Sequence, residues 1–276
     1  MAFVTRSGHM VYWEQTGEGS PLLLIQGLGY PSDANWRVLP ALTDRHRVIQ
    51  VDNRGAGRSD VPKDPFSIAD MADDAAAVIE AAGGWPAHVA GFSMGGLIAQ
   101  ELAVRHPHLV RSLILGCTSP GGDKAVPLSA EVAEQFTEWG NLSARDAAWR
   151  AARVCYAHST RHEEIERDIE VRMKRPTPRP GYLGQLRAVG EYEGVAGRID
   201  RWSGPVLAVH GSDDLIVPPA NLDRITEAIP HADTVICHKA GHILMTDATE
   251  QLTDSMLAFL GQVDATPASP STGAQV

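Results

Sequence analysis

The chain has 276 residues, 43% of them hydrophobic and 21% charged, an ordinary globular composition with enough length for one large α/β domain or a domain with an insertion. Its formal net charge of −10 argues against a nucleic-acid or anionic-membrane partner. No apolar run approaches the ~18 residues of a membrane span and no secretory pattern is visible. The three scattered cysteines, Cys117, Cys155 and Cys237, form no C-x-x-C pair and read as reduced, buried thiols of a cytoplasmic protein.

Taken in order, Phe3 to Thr5 and Met10 to Glu14 read as an edge hairpin turned by Ser7-Gly8. Leu22 to Ile25 is a continuous apolar run, the sign of a strand buried on both faces. It opens into the glycine-rich loop Gln26-Gly27-Leu28-Gly29-Tyr30. A short helix is expected over Trp36 to Leu42 and a strand over Arg47 to Val51. The polar segment Asp52-Asn53-Arg54-Gly55-Ala56-Gly57-Arg58-Ser59-Asp60 follows. Ser67 and Asp70 form a capping box ahead of a helix from Ile68 to Ala82.

Ala87 to Ala90 is strand-like and runs into Gly91-Phe92-Ser93-Met94-Gly95-Gly96, after which a helical pattern continues to about His106. A serine flanked by glycines at minus two and plus two is what a tight strand-to-helix turn requires. Such a turn lifts the hydroxyl over the sheet edge and leaves the next amide at a helix start, where partial positive charge gathers. The pentapeptide alone is a weak signal; its strand and helix context strengthens it. A strand from Ser112 to Cys117 comes next. Strands alternating with helices in this way imply a mostly parallel sheet covered on both faces, with function gathered at the strands' carboxyl ends.

From about Ser119 to Ile199 the strand signals stop. Helices are expected over Leu128 to Trp139, Ala144 to Tyr156 and Glu163 to Lys174, the last stopped by Pro176, Pro178 and Pro180. Its pairs Glu163–Arg167, Asp168–Arg172 and Glu170–Lys174 read as a solvated face. Trp139, Tyr156, Tyr182 and Tyr192 read as core aromatics rather than substrate contacts. Alternation resumes with a strand at Pro205 to Val209, a helix at Ala220 to Ile229, a strand at Thr234 to Cys237 and a helix from about Asp247 to Leu260. The remainder, 264–276, is rich in Pro, Ser, Thr and Ala and reads as a disordered tail.

His210-Gly211-Ser212-Asp213-Asp214-Leu215-Ile216-Val217-Pro218 and Ala240-Gly241-His242 follow the last two strands, giving the order Ser, Asp, His. On GFSMGG, DNRGAGRSD, HGSDDLIVP and AGH, in that order, the chain resembles the α/β-hydrolase fold family over essentially everything except the tail. The resemblance implies a mostly parallel eight-stranded sheet with helices on both faces. It also implies a core domain over 1–118 and 200–263 and a helical cap over 119–199.

Carried over by position, the resemblance makes Ser93 the nucleophile, His242 its general base and Asp214 the acid that orients His242, with Asp213 a turn residue. It places the oxyanion hole at the backbone N–H groups of Leu28 and Met94. Gln26 stands where the family usually has histidine, a change expected to bear on substrate preference. No metal site is expected from the remaining histidines. Gly27 and Gly29 do not complete a dinucleotide loop, because residue 32 is serine, so no cofactor is expected.

Serine at 93 argues against dehalogenases and epoxide hydrolases of this fold, which carry aspartate there. The G-F-S-M-G-G form and the helical insertion resemble enol-lactonases, methylesterases and non-haem perhydrolases. The expectation is a cofactor-independent serine hydrolase that cleaves a carboxylic ester or lactone of a small organic molecule through an acyl-enzyme. The alternatives are a carbon–carbon bond hydrolase of ring-fission products, a non-hydrolytic lyase or cyclase, and a ligand receptor on the same fold.

Overall fold

The computed structural model describes residues 2–139 and 142–266, with side chains over 2–134 and 142–266. Eight strands form one sheet in the order β1-β2-β4-β3-β5-β6-β7-β8. They are β1 Ala2–Arg6, β2 His9–Thr16, β3 Ser20–Ile25, β4 His46–Val51, β5 Ala87–Phe92, β6 Val110–Gly116, β7 Val206–Gly211 and β8 Asp233–Cys237. β1 and β2 pair antiparallel, β2 joins β4 antiparallel, and every other pairing is parallel. The chain belongs to the mostly parallel class that the alternation implies.

The strand faces are sorted with period two even where both are buried. Leu23, Ile25, Ile49 and Val89 point into one apolar cluster, which also takes residues of α2 (Ile68–Ala81) and α3 (Met94–Arg105). Leu22, Leu24, Val48 and Ala90 point into the other, under α1 (Leu39–Thr43) and α10 (Thr249–Ala265). A capping box fixes the start of α2: Asp70 N–H donates to Ser67 Oγ at 3.2 Å, and Ser67 N–H donates to Asp70 Oδ2 at 2.9 Å.

β3 and β5 are neighbours, and the chain leaves β3 toward β4 on one side of the sheet and β5 toward β6 on the other. That reversal makes a crevice at the strand ends, where open α/β sheets place their ligands. Gln26-Gly27 and Ser93 stand on either side of it.

Between β6 and β7 the chain carries α4 (Ala130–Trp139), α5 (Ala144–Cys155), α6 (His162–Met173) and α7 (Arg179–Gly190). α7 is absent from the sequence expectation because three prolines were read only as terminators. Pro180 sits within the first turn of α7, where a missing N–H costs nothing and a fixed φ suits the helix. After β7 come α8 (Asn221–Ala228), β8, the short α9 (Leu244–Asp247) and α10.

The expected tail starts too early. α10 runs to Ala265, and Asp264 accepts from Arg111 at 3.0 Å and lies 3.1 Å from His88 Nε2. Residues 267–276 lie outside the described residues. Among the described residues no helix is long and apolar enough to cross a membrane.

Candidate active site

The turn at Ser93 is built by exclusion. Ser93 has φ 55 and ψ −121, a conformation a side-chain-bearing residue holds only when its surroundings enforce it. A Cβ on Gly91 would collide with the Gly95 carbonyl, and one on Gly95 with the Ile25 carbonyl. The two glycines therefore let β5, α3 and β3 close around the serine. Ser93 N–H donates to the Gly116 carbonyl at 2.9 Å and Thr118 Oγ1 donates to the Ser93 carbonyl at 2.8 Å, pinning the strained residue to β6.

Asp214 and His242 arrive from the ends of β7 and β8. His242 Nε2 lies 3.0 Å from Ser93 Oγ, and His242 Nδ1 lies 2.8 Å from Asp214 Oδ2. The other carboxylate oxygen, Oδ1, accepts from the amides of Ile216 and Val217, each at 2.9 Å. Burial favours the neutral acid, but His242, His210 and the Val217 amide outweigh it and hold Asp214 well below the usual carboxylate range. Asp213 instead accepts from Ser212 Oγ at the surface, as its turn assignment requires.

The loop that carries His242 is tied down separately. Asp247 accepts from the amides of Gly241 at 2.8 Å and Ala157 at 2.7 Å, and from Thr160 Oγ1 at 2.6 Å. One carboxylate thus joins the His242 segment to the end of α5.

Leu28 follows Gly27 at the end of β3, and Met94 follows Ser93 at the end of β5. Met94 is the first residue of α3, so its N–H has no acceptor four residues back. A Cβ on Gly27 would lie 3.1 Å from Ser93 Cβ, which brings the Gly27-Leu28 backbone against the serine. Gly29 N–H donates to Gln185 Oε1 at 2.8 Å, and Gln185 Nε2 donates to the Arg54 carbonyl at 2.9 Å. Gln185 is fully buried on α7, so it staples the glycine loop to the 52–60 segment. It went unforeseen because α7 itself did; a lone glutamine between Gly184 and Leu186 gives no sequence signal.

The Gln26 side chain is buried and spent on its neighbours. Its amide nitrogen donates to Asn35 Oδ1 and approaches Met245 Sδ at 3.4 Å, and Asn35 donates onward to Gln50. The 52–60 segment is organised around its own buried acid. Asp52, fully buried, accepts from Ser32 N–H at 2.7 Å and from Arg58 N–H and Nε–H at 2.8 Å each.

Tyr156 and Tyr192 are spent on structure, donating to Asp168 and Glu101 respectively. Tyr182 lies against Gly29. The side chain of Trp139 lies outside the described residues.

Cys117, Asp214 and His242 present donor atoms within 4.8 Å of one another. Both nitrogens of His242 are already engaged by Ser93 and Asp214. Burial and the Asp214 charge push the Cys117 thiol well above its ordinary pKa, so the thiolate that would bind a metal is disfavoured.

A serine on a strained strand-to-helix turn, with an imidazole and a carboxylate from later strand ends in hydrogen-bond reach, matches the serine-hydrolase arrangement of an α/β fold. The family model for the alpha/beta hydrolase fold matches residues 20–249, and the chain belongs to that family. A relative from Azorhizobium caulinodans that carries the name carbamate hydrolase RutD is 31% identical over 92% of this chain and 96% of its own. The pimeloyl-[acyl-carrier protein] methyl ester esterase of Aeromonas hydrophila is 29% identical over 90% of this chain and 98% of its own. Among solved structures, a thermophilic esterase from Thermogutta terrifontis superposes with a TM-score of 0.81 at 26% identity, covering 95% of this chain and 97% of that one.

Proposed function

We propose that the chain is a cofactor-independent serine hydrolase that cleaves a carboxylic ester or lactone of a small molecule through an acyl-enzyme. The observation that carries this reading is the unbroken series Asp214–His242–Ser93 at 2.8 and 3.0 Å. The relatives named for ester and carbamate cleavage support it. The helical insertion serves as a cap that shapes the substrate space.

Ser93 Oγ attacks the carbonyl carbon while His242 Nε2 takes its proton, and the carbonyl electron pair moves onto oxygen. The N–H groups of Leu28 and Met94 receive that oxyanion, a contribution of typically 10²–10³ in rate per donor. Asp214 keeps Nδ1 protonated and stabilises the imidazolium. Collapse breaks the bond to the alkoxide, which leaves with the proton from His242. Water then attacks the acyl-enzyme by the same route, releasing the acid and restoring Ser93.

The test is turnover of a panel of p-nitrophenyl esters, lactones and a ring-fission dienone by wild type and Ser93→Ala. Ester or lactone turnover abolished by Ser93→Ala is the expected result. Turnover of the dienone alone would select carbon–carbon cleavage instead.

A further inference from the structure

Arg172 on α6 carries a charge that no acid answers. Its helical spacing pairs it with Asp168, but Asp168 is taken by Trp36, Arg37, Tyr156 and Thr246. Among the described residues the Arg172 side chain makes no hydrogen bond or ion pair. Its guanidinium lies over the Tyr30 ring instead, 4.2 Å from the centroid. In a chain with 34 acidic against 24 basic residues, leaving a half-buried arginine without a carboxylate is costly unless the anion comes from elsewhere.

Where Arg172 lies suggests the source. It lines a cavity together with Tyr30, Cys155, Tyr156, Asp168 and Ile169. Tyr30 closes the glycine loop by donating its N–H to the Gly27 carbonyl at 3.2 Å, and Gly27 abuts Ser93. A terminal nitrogen of Arg172 would lie 3.3 Å from a Cβ on Gly29, next to Leu28. On the far side the Cys155 carbonyl accepts from Ile243 N–H at 3.0 Å, one residue beyond His242. The cavity therefore sits between the oxyanion loop and the His242 segment. Its free volume is about 10 Å³, about the room of one water, so a carboxylate that reaches Arg172 displaces side chains of the cavity wall.

We propose that Arg172 receives a carboxylate at the far end of the substrate, so the preferred ester or lactone bears a free acid group remote from the scissile carbonyl. This deepens the hydrolase reading and rests on Ser93 as nucleophile. A planar guanidinium with its fork unspent matches a carboxylate in two parallel bonds. The stacked Tyr30 ring holds that fork in place before the substrate arrives.

The experiment compares kcat/KM on p-nitrophenyl hemiglutarate with kcat/KM on p-nitrophenyl valerate, two acyl groups of equal length that differ in the terminal acid. Wild type favours the hemiglutarate. Arg172→Gln lowers that ratio by about 10- to 100-fold, the range for a lost hydrogen bond to a charged partner, and Arg172→Lys retains part of it. The ratio does not depend on how much protein is folded, so a poorly folding variant still reports. A ratio within about twofold of wild type in Arg172→Gln overturns the assignment. Calorimetric binding of glutarate to Ser93→Ala separates the two readings. Weaker binding on adding Arg172→Gln supports the arginine site even if no ester is turned over. Equal binding, or none to either, counts against the site alone.

Discussion

Thr246 Oγ1 donates to Asp168 Oδ2 at 2.6 Å, joining insertion helix α6 to the short helix that begins just after His242. Asp168 also accepts from Trp36 Nε1 at 3.2 Å, Arg37 Nε at 2.9 Å and Tyr156 O–H at 3.2 Å. One carboxylate, 12% exposed, thus gathers the insertion, the segment after the glycine loop and the His242 segment.

Removing it should loosen all three. Asp168→Ala leaves Arg37 and three further donors without their acceptor, at a cost of about 2–4 kcal/mol. We expect a lower urea midpoint and faster proteolytic cleavage within 119–199. Asp168→Asn keeps the shape and part of the hydrogen bonding, so it should fall between the two. An Asp168→Ala midpoint equal to wild type would refute the hub.

Gln185 should act on rate rather than on folding alone. Its side-chain oxygen holds Gly29 N–H beside Leu28, so Gln185→Met frees the loop that carries one of the two proposed oxyanion donors. We expect kcat to fall about 10-fold or more with little change in KM, because the oxyanion is formed only in the transition state. A variant with raised KM and unchanged kcat would place Gln185 in substrate binding instead.

The contrast between this hub and Ser93 shows what the chain's primary structure can disclose. Ser93, Asp214 and His242 stand out because each follows a strand and each carries a local signature of glycine or acid. Asp168 and Gln185 act through partners far away in sequence. Thr246 is 78 residues from Asp168 and Arg54 is 131 from Gln185. The i,i+4 spacing of Asp168 and Arg172 even points the wrong way, to a solvated pair that does not form. The sheet was legible because its buried strands are continuous apolar runs. α7 was not, because proline punctuates a helix start and a helix stop with the same letter.

The glycines of the elbow offer a paired test. Gly95→Ala drives a methyl group into the Ile25 carbonyl, whereas a Cβ on Gly261 meets nothing within 4 Å. The first should destabilise by about 3 kcal/mol or more. The second, at an exposed position of α10, should stabilise by roughly 0.5–1 kcal/mol, since alanine restricts the unfolded chain and favours helix. Denaturant titration of the two variants checks both signs.

Stability should also depend on pH through the base of the sheet. His88 is buried between Ser112 Oγ at 2.7 Å and Asp264 at 3.1 Å, while His46 lies 3.8 Å from Asp264, which Arg111 also pairs. Burial pushes both imidazoles below the ordinary histidine value, against the opposing pull of Asp264. Below about pH 6.5 the unfolded chain therefore binds more protons at these positions than the folded one, and stability falls as pH falls. Asp214, held low, adds its own loss from about pH 5 downward, where the unfolded carboxylate begins to protonate. Unfolding free energy should be lower at pH 5 than at pH 7.5, and the difference should shrink in His46→Gln/His88→Gln. An unchanged slope in that variant would refute the assignment.

In the proposed mechanism Ser93 is a nucleophile activated by His242. The direct measurement is mass spectrometry of the protein after reaction with a serine-directed fluorophosphonate. One adduct should form, on the peptide that contains Ser93. It should disappear in Ser93→Ala and form at least about 10³-fold more slowly in His242→Ala, since an unassisted hydroxyl is a poor nucleophile. An adduct on another serine, or equal labelling of wild type and Ser93→Ala, would contradict it.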